Sequence, residues 1–338
     1  MAQPISLLET LGGEPACLRL SKAFYARVGR DPVLRPLFPG KTLRCATEEF
    51  AAFLIQFLGG DENQTQHRWW LSLRESHARF QVTPAQREAW LKNMRAALDE
   101  TIADAPTRTA IRHFFEHTSA YVVDHKADTA APNHPELTER WNQQLALDKA
   151  IATLDPEASA DFRSRPSVFT GLLARMLQSG RPHLIPFVLE SIGADHLLTT
   201  RRFGGWTLLH HAAATGCLEV VELLLKNGAD PDLLDRGSHT PLYSVANGCD
   251  SPAGSAIVRA LSKAGADINA CAGATRATAL HAAARRGHTE IARALLELGD
   301  DPNARDNKRA TPLQRAINCR KQGVADLFRQ RLTVSRTP

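Results

Sequence analysis

The stretch Ser76-His77-Ala78-Arg79-Phe80 is followed by Arg87, Trp90, Leu91, Met94 and Leu98, which fall on one helical stripe. Upstream, Trp70, Leu73 and His77 recur at spacings of three and four, so a helix here carries the imidazole toward the interior with the apolar side chains. An imidazole in an apolar interior needs a partner, because an unpaired buried polar group costs about 1–3 kcal/mol. A backbone carbonyl, a buried water or a metal can each supply it.

The residues around this stretch narrow that choice. Gly12-Gly13 and Gly59-Gly60 bracket Ala23-Phe24-Tyr25-Ala26-Arg27-Val28, Asp31-Pro32-Val33-Leu34-Arg35 and Leu37-Phe38-Pro39. With His77-Ala78-x-Phe80 and Arg87-x-x-Trp90-Leu91-x-x-Met94, these pieces in this order resemble the truncated haemoglobins, specifically the second of their three groups, over about residues 5–125. The sequence departs from the family at Arg79, where proline is usual, and at Phe57-Leu58, where an aromatic pair is usual.

The resemblance implies a cofactor, haem b (iron protoporphyrin IX), whose iron is held by His77. It implies further that Tyr25 is the distal hydroxyl, that Phe38 wedges against the porphyrin, and that Ala46 and Phe50 occupy the gate position of the distal helix and the position one turn later. Trp90 then faces the ligand on the iron, or a polar neighbour. Read without the resemblance, Trp90 is a core tryptophan bonded to a carbonyl and Tyr25 an amphipathic aromatic beside the ridge of Cys17, Leu20 and Phe24. His113 and His117 share a helix face with Glu116 nearby, opposite the apolar face of Ile111, Phe114, Phe115, Thr118 and Val122, and read as a solvated pair.

The second half repeats itself. Thr207-Leu208-Leu209-His210, Thr240-Pro241-Leu242-Tyr243, Thr278-Ala279-Leu280-His281 and Thr311-Pro312-Leu313-Gln314 open units spaced 33, 38 and 33 residues apart. Gly193-Ala194-Asp195, Gly228-Ala229-Asp230, Gly265-Ala266-Asp267 and Gly299-Asp300-Asp301 close leucine-rich helices such as 220–226 and 291–298. A period near 33 with Thr-Pro-Leu-His resembles ankyrin repeats. Residues 167–195 keep only the closing signal and read as an N-terminal cap, while Asn318-Cys319-Arg320-Lys321-Gln322 makes the last pair polar, as a terminal repeat must be. The extra residues of the longer unit fall mainly around 247–252. By the resemblance, His210 and His281 are structural imidazoles bonding loop backbone between repeats.

The fold class expected is therefore all-α: a truncated globin, a 2-on-2 helical sandwich, followed by an ankyrin solenoid. Residues 1–125 form the haem domain, 126–164 a linker, and 165–338 the repeats, an N-terminal cap plus about four units. Within the linker, 136–154 reads as a helix with a narrow stripe of Trp141, Leu145 and Ala146, either docked or a partly flexible spacer.

Composition sets outer bounds. At 338 residues two domains are expected, and 43% hydrophobic with 23% charged residues is ordinary for a globular protein. The net charge of +5 is small and Lys and Arg are scattered, which gives no support for nucleic acid as a partner. No apolar run approaches the roughly 20 residues of a membrane span, and no signal pattern opens the chain, so a cytoplasmic protein is expected. The six cysteines are dispersed without a Cys-x-x-Cys pair and read as reduced thiols.

Three functions remain open at this level. One is a haem protein binding oxygen or another diatomic gas, tethered to an unknown protein partner by the repeats. Another is a haem enzyme for nitric oxide dioxygenation or peroxide chemistry, for which no electron-donor domain is fused. The third is an interaction scaffold without haem, which an inward His77 argues against.

Overall fold

The computed structural model describes residues 7–38, 40–58, 60, 77, 82–124 and 134–334. They form two compact units, Met1–Ser167 and Val168–Pro338.

In the first unit, α1 (Leu7–Leu11) and α2 (Gly13–Val28) are separated at Gly12-Gly13, whose φ values of 100° and 71° are ones that side chains with a Cβ rarely adopt. Next come α3 (Arg44–Phe57), α4 (Pro84–Thr101), α5 (Ala105–Asp124), α6 (Pro135–Thr153) and the short α7 (Pro156–Ala160). Helix α2 packs against both α3 and α4, and α4 against α5, which gives the two-layered helical sandwich of a globin fold. Cys17, Leu20, Phe24 and Val28 recur at three and four residues along α2, and all are buried. They meet Leu54 and Ile55 of α3, Met94, Ala97 and Leu98 of α4, and Phe114 and Phe115 of α5.

The start of α4 follows from local chemistry. Thr83 Oγ1 accepts from the Gln86 amide at 3.3 Å, and Gln86 Oε1 accepts from the Thr83 amide at 2.9 Å, with Pro84 at the first helical position. Between α2 and α3, Asp31 Oδ1 accepts from the Val33 and Leu34 amides at 2.9 and 3.0 Å, and Asn93 Nδ2 of α4 donates to Asp31 Oδ2 at 2.7 Å. The Arg35 guanidinium then donates to the Phe38 carbonyl and, at 2.7 Å, to the Gly40 carbonyl. This corner fixes where Phe38 stands.

Helix α6 belongs to this core. Leu137 and Trp141 are buried within it, Tyr121 Oη donates to Asp148 Oδ2 at 2.8 Å, and the Leu7 amide donates to Glu136 Oε2 at 3.1 Å. That packing changes the reading of the two histidines on α5. His113 is exposed, but His117 is half-buried with its ring 6.2 Å from that of Trp141. A helix covers the face that the periodicity of α5 alone leaves to water. The turn-rich segment from Lys126 to residue 133 lies outside the described residues.

The second unit stacks five helix pairs: α8 (Pro166–Gln178) with α9 (Ile185–Ala194), α10 (Leu208–Thr215) with α11 (Leu218–Lys226), α12 (Pro241–Gly248) with α13 (Gly254–Lys263), α14 (Ala279–Arg286) with α15 (Thr289–Glu297), and α16 (Pro312–Asn318) with α17 (Gln322–Val334). The first helices of successive pairs pack in sequence from α10 to α16, and the second helices from α9 to α17. At the pair ends, Gly228, Gly265 and Gly299 have φ of 83°, 96° and 98°, and an added Cβ there would meet nothing within 4 Å. The backbone angle, not crowding, selects glycine at these turns. Of the five additional residues of the longer unit, three lie between α12 and α13, one lengthens α13, and one lies in the finger before Thr278.

His210 and His281 hold the repeats together as the sequence implies. His210 pairs through Nδ1 with Thr207 Oγ1 at 2.7 Å and through Nε2 with the His239 carbonyl at 3.1 Å. His281 reaches the Ala310 carbonyl at 3.0 Å.

The fingers are the turns that lead into each helix pair, and the first is a small antiparallel hairpin, β1 (Arg202–Phe203) with β2 (Trp206–Thr207). Asp235 and Asp306, which stand in the polar finger stretches Asp235-Arg236-Gly237-Ser238-His239 and Asp306-Asn307-Lys308-Arg309, turn inward and are buried. Asp235 Oδ1 accepts from the Gly237 and His239 amides at 2.7 and 2.8 Å; Asp306 Oδ1 accepts from the Lys308 and Ala310 amides at 2.8 and 3.0 Å, and Asp306 also pairs with Arg315. A carboxylate that caps its own turn is spent on the backbone. What remains exposed at the tips is Arg236, Arg276, Lys308 and Arg309.

Candidate functional site

A cavity of about 740 Å³ opens within the first unit. All five residues singled out by sequence, Tyr25, Phe38, Phe50, His77 and Trp90, line it, and so does Ala46. His77 is helical and half-buried; its neighbours Ser76, Ala78, Arg79 and Phe80, along with Trp70, Leu73 and Gly59, lie outside the described residues.

Helix spacing brings these residues together. On α2, Phe24 faces the core while Tyr25, the next residue, turns toward the cavity, its ring 5.6 Å from Phe38 and 6.2 Å from Phe50, edge to face in both cases. Trp90 rests against Phe24 and Phe115, both 5.3 Å away between ring centres. Along α4 the buried Leu91, Met94 and Leu98 face the core, and Arg87 and Trp90, one turn apart, face the cavity. The stripe is therefore divided between two surfaces.

Two donors face this space without engagement. Neither the Tyr25 hydroxyl nor the Trp90 indole N–H makes a hydrogen bond among the described residues. Burial, reinforced by the nearby Glu49 carboxylate, raises the Tyr25 pKa well above its ordinary 10, so the hydroxyl keeps its proton. An indole N–H can only donate.

Among the described residues the charge on the wall is mostly positive: Lys41, Arg87, Arg140 and Arg165 border the cavity with one carboxylate, Glu49. Arg140 and Arg165 lie beyond the stretch that sequence reasoning connected with the site. The signal was the spacing of Arg140, Gln143 and Gln144, which share a face of α6, but which way that face turns depends on packing.

A large apolar group with an acidic edge matches these walls in size and charge. Haem is such a group, a flat apolar ring with two propionates. Among the described residues no three His, Cys, Asp or Glu gather around a metal position. A single imidazole such as His77 suits a metal that arrives with its other donors, as iron does in a porphyrin.

Comparison with known proteins places these features. The bacterial-like globin family matches residues 6–123, and the ankyrin-repeat family matches 173–272 and 249–334. The chain is similar to the group 2 truncated hemoglobin YjbI of Bacillus subtilis (strain 168), 31% identical over 112 residues, which are 33% of this chain and 84% of that protein. It is also similar to group 2 truncated hemoglobin 3-1 of Lotus japonicus, 31% identical over 121 residues, 35% of this chain and 71% of that one. The B-cell lymphoma 3 protein homolog of Mus musculus is 36% identical over 151 residues, 44% of this chain but only 32% of the mouse protein. This last likeness concerns about a third of the relative's length. The globin family implies a haem cofactor in general. By the globin match and these relatives the chain belongs to the truncated haemoglobins, with ankyrin repeats at its C-terminal end.

Proposed function

We propose that residues 1–125 bind haem b through His77 and bind oxygen or another diatomic gas, and that residues 165–338 tether this domain to a protein partner. The observation that carries the first part is the convergence of His77, Tyr25 and Trp90 on one apolar cavity, with both donors unengaged among the described residues. Bound there, haem supplies an iron coordination position for the gas. Phe38 and Phe50 exclude water from the cavity, and Tyr25 and Trp90 offer hydrogen bonds to a ligand that takes on negative charge. Such bonds are worth roughly 1.5–3 kcal/mol, about 10–100-fold in affinity. Six free cysteines and the absence, among the described residues, of a helix long and apolar enough to cross a membrane accord with a cytoplasmic setting.

Absorption spectra of the full chain reconstituted with haem test this reading. The wild type should give a Soret band, and His77→Ala should lose the ferrous ligand-field spectrum of an imidazole-ligated iron. A wild type without a Soret band, or a variant with an unchanged spectrum, overturns the assignment.

For the repeats, the support is the set of exposed tip cations. Arg236, Arg276, Lys308 and Arg309 have no side-chain ion pair among the described residues, and the neighbouring Asp235 and Asp306 are buried. The partner surface they suit is an acidic protein segment.

A further inference from the structure

Among the described residues, two of the four Lys and Arg side chains that border the cavity come from outside the globin match. That match ends at residue 123, whereas Arg140 lies on α6 and Arg165 in the turn after α7. Gln143 and Gln144 of α6 line the same cavity.

Arg140 and Gln144 differ from Arg87 in what they are already doing. Arg87 donates to Ser119 Oγ at 3.0 Å and to the Glu116 carbonyl at 2.9 Å, so its fork is largely committed to α5. Arg140 is half-buried and has no hydrogen bond or ion pair among the described residues. Gln144 Nε2 is buried without a hydrogen-bond partner. A buried amide donor and a half-buried guanidinium, both bordering the cavity and both without an acceptor among the described residues, suit an acceptor that enters it. Trp141, the residue after Arg140, is buried in the globin core and anchors the helix so that Arg140 faces the cavity.

We propose that Arg140, Gln144 and Arg165 form a carboxylate-binding edge of the cofactor cavity, supplied by the segment that follows the globin, and that they take the propionates of haem. The proposal rests on the haem reading above. It makes the segment after the globin part of the cofactor site: occupancy satisfies the donors on α6 and stabilises that helix.

The test uses the full chain with Arg140→Gln, Arg165→Gln and the double variant, which keep side-chain bulk and remove charge. Haem loss is followed by transfer to an excess of a haem-free acceptor globin. The double variant should lose haem about 10-fold faster, since half-exposed charge-assisted bonds fall at the low end of their range. Its Soret position should match the wild type because His77 is untouched. With the dimethyl ester of haem, which lacks the carboxylates, wild type and variant should release the cofactor at the same rate. Hydrogen exchange in Pro135–Thr153 should slow on haem binding in the wild type and much less in the double variant. Equal rates with free-acid haem, or a difference that survives esterification, overturn the edge while leaving the haem reading intact. A wild type without a His77-dependent spectrum removes the haem reading and this proposal with it.

Discussion

In the repeats, His210 is almost wholly enclosed with both ring nitrogens engaged, one by Thr207 and one by the His239 carbonyl. In the globin, Tyr25 and Trp90 are half-buried against aromatic neighbours, yet their donors meet only the cavity among the described residues. Both regions place polar groups among apolar ones. The difference lies in where the hydrogen bonds end: the repeats close them on their own backbone, which holds the units in register, whereas these two donors of the globin have no acceptor among the described residues. Burial alone does not mark a functional polar residue; burial with unspent bonding capacity does.

Asp300 breaks this pattern inside the repeats and gives the largest expected effect. It stands where Ala229 and Ala266 stand in the neighbouring units, is 2% exposed, and neither carboxylate oxygen has a well-formed hydrogen bond, although the Leu280 amide and Thr278 hydroxyl lie close enough to soften its burial. Burial, with repulsion from Asp301 and Asp267, raises its pKa from 3.8 to about 7. Below about pH 4 the group is protonated folded or unfolded and carries no penalty. As the pH rises toward 7 the unfolded chain ionises first, and stability is lost by up to on the order of 4 kcal/mol. Burial acts oppositely on His210 and His211, whose pKa values it lowers from 6.5 to about 4, so their contribution is present above pH 6.5 and lost as the pH falls through 4. Urea melts of the full chain, read by helical signal, should show Asp300→Ala stabilising strongly at pH 8 and little at pH 4.5. The same effect at both values would mean that the carboxylate is satisfied after all.

The next effect sharpens the contrast from the globin side. Tyr25→Phe and Trp90→Phe should each speed oxygen release about 10-fold, because each removes a bond to a charged acceptor. Carbon monoxide, a less polar ligand, should respond less. Stopped-flow rates unchanged in both variants would place these side chains with His210, as parts of the core.

How much of this was legible in the sequence follows the same division. The apolar ridge of Cys17, Leu20 and Phe24, the capping box at Thr83 and the repeated Thr-x-Leu starts are local patterns, and local patterns carry over into helices directly. Tyr25, Phe38, Phe50, His77 and Trp90 were found through their order along the chain, and the structure gathers them around one cavity. Arg140 and the enclosed side of His117 were not legible, because both depend on how α6 lies against α5, which no periodicity within either helix encodes. The burial of Asp235 and Asp306 is not legible in their polar stretches, because a carboxylate that caps a turn differs from a solvated one only in the backbone angles around it.

The smallest effect concerns the finger tips, where side chains and backbone pull in different directions. Arg276 and Arg309 hold φ of 50° and 57°, in the left-handed region that glycine occupies at the equivalent Gly205. An L-residue there costs about 1 kcal/mol, partly offset by the chain entropy that glycine would lose. Replacing each arginine by glycine should therefore leave the repeats unchanged or stabilise them by up to about 1 kcal/mol, read from the midpoint of urea unfolding. If the strain is tolerated because the guanidinium has a task, the Arg276→Gly, Arg309→Gly double variant should also bind a poly-glutamate peptide several-fold more weakly than the wild type, with the difference fading as salt rises. A more stable variant that binds the acidic peptide equally well would show that these tips are only solvated turns. Loss of stability instead would mean that the arginine stems pack on the finger, and the repeats would then be spending even their surface charges on themselves.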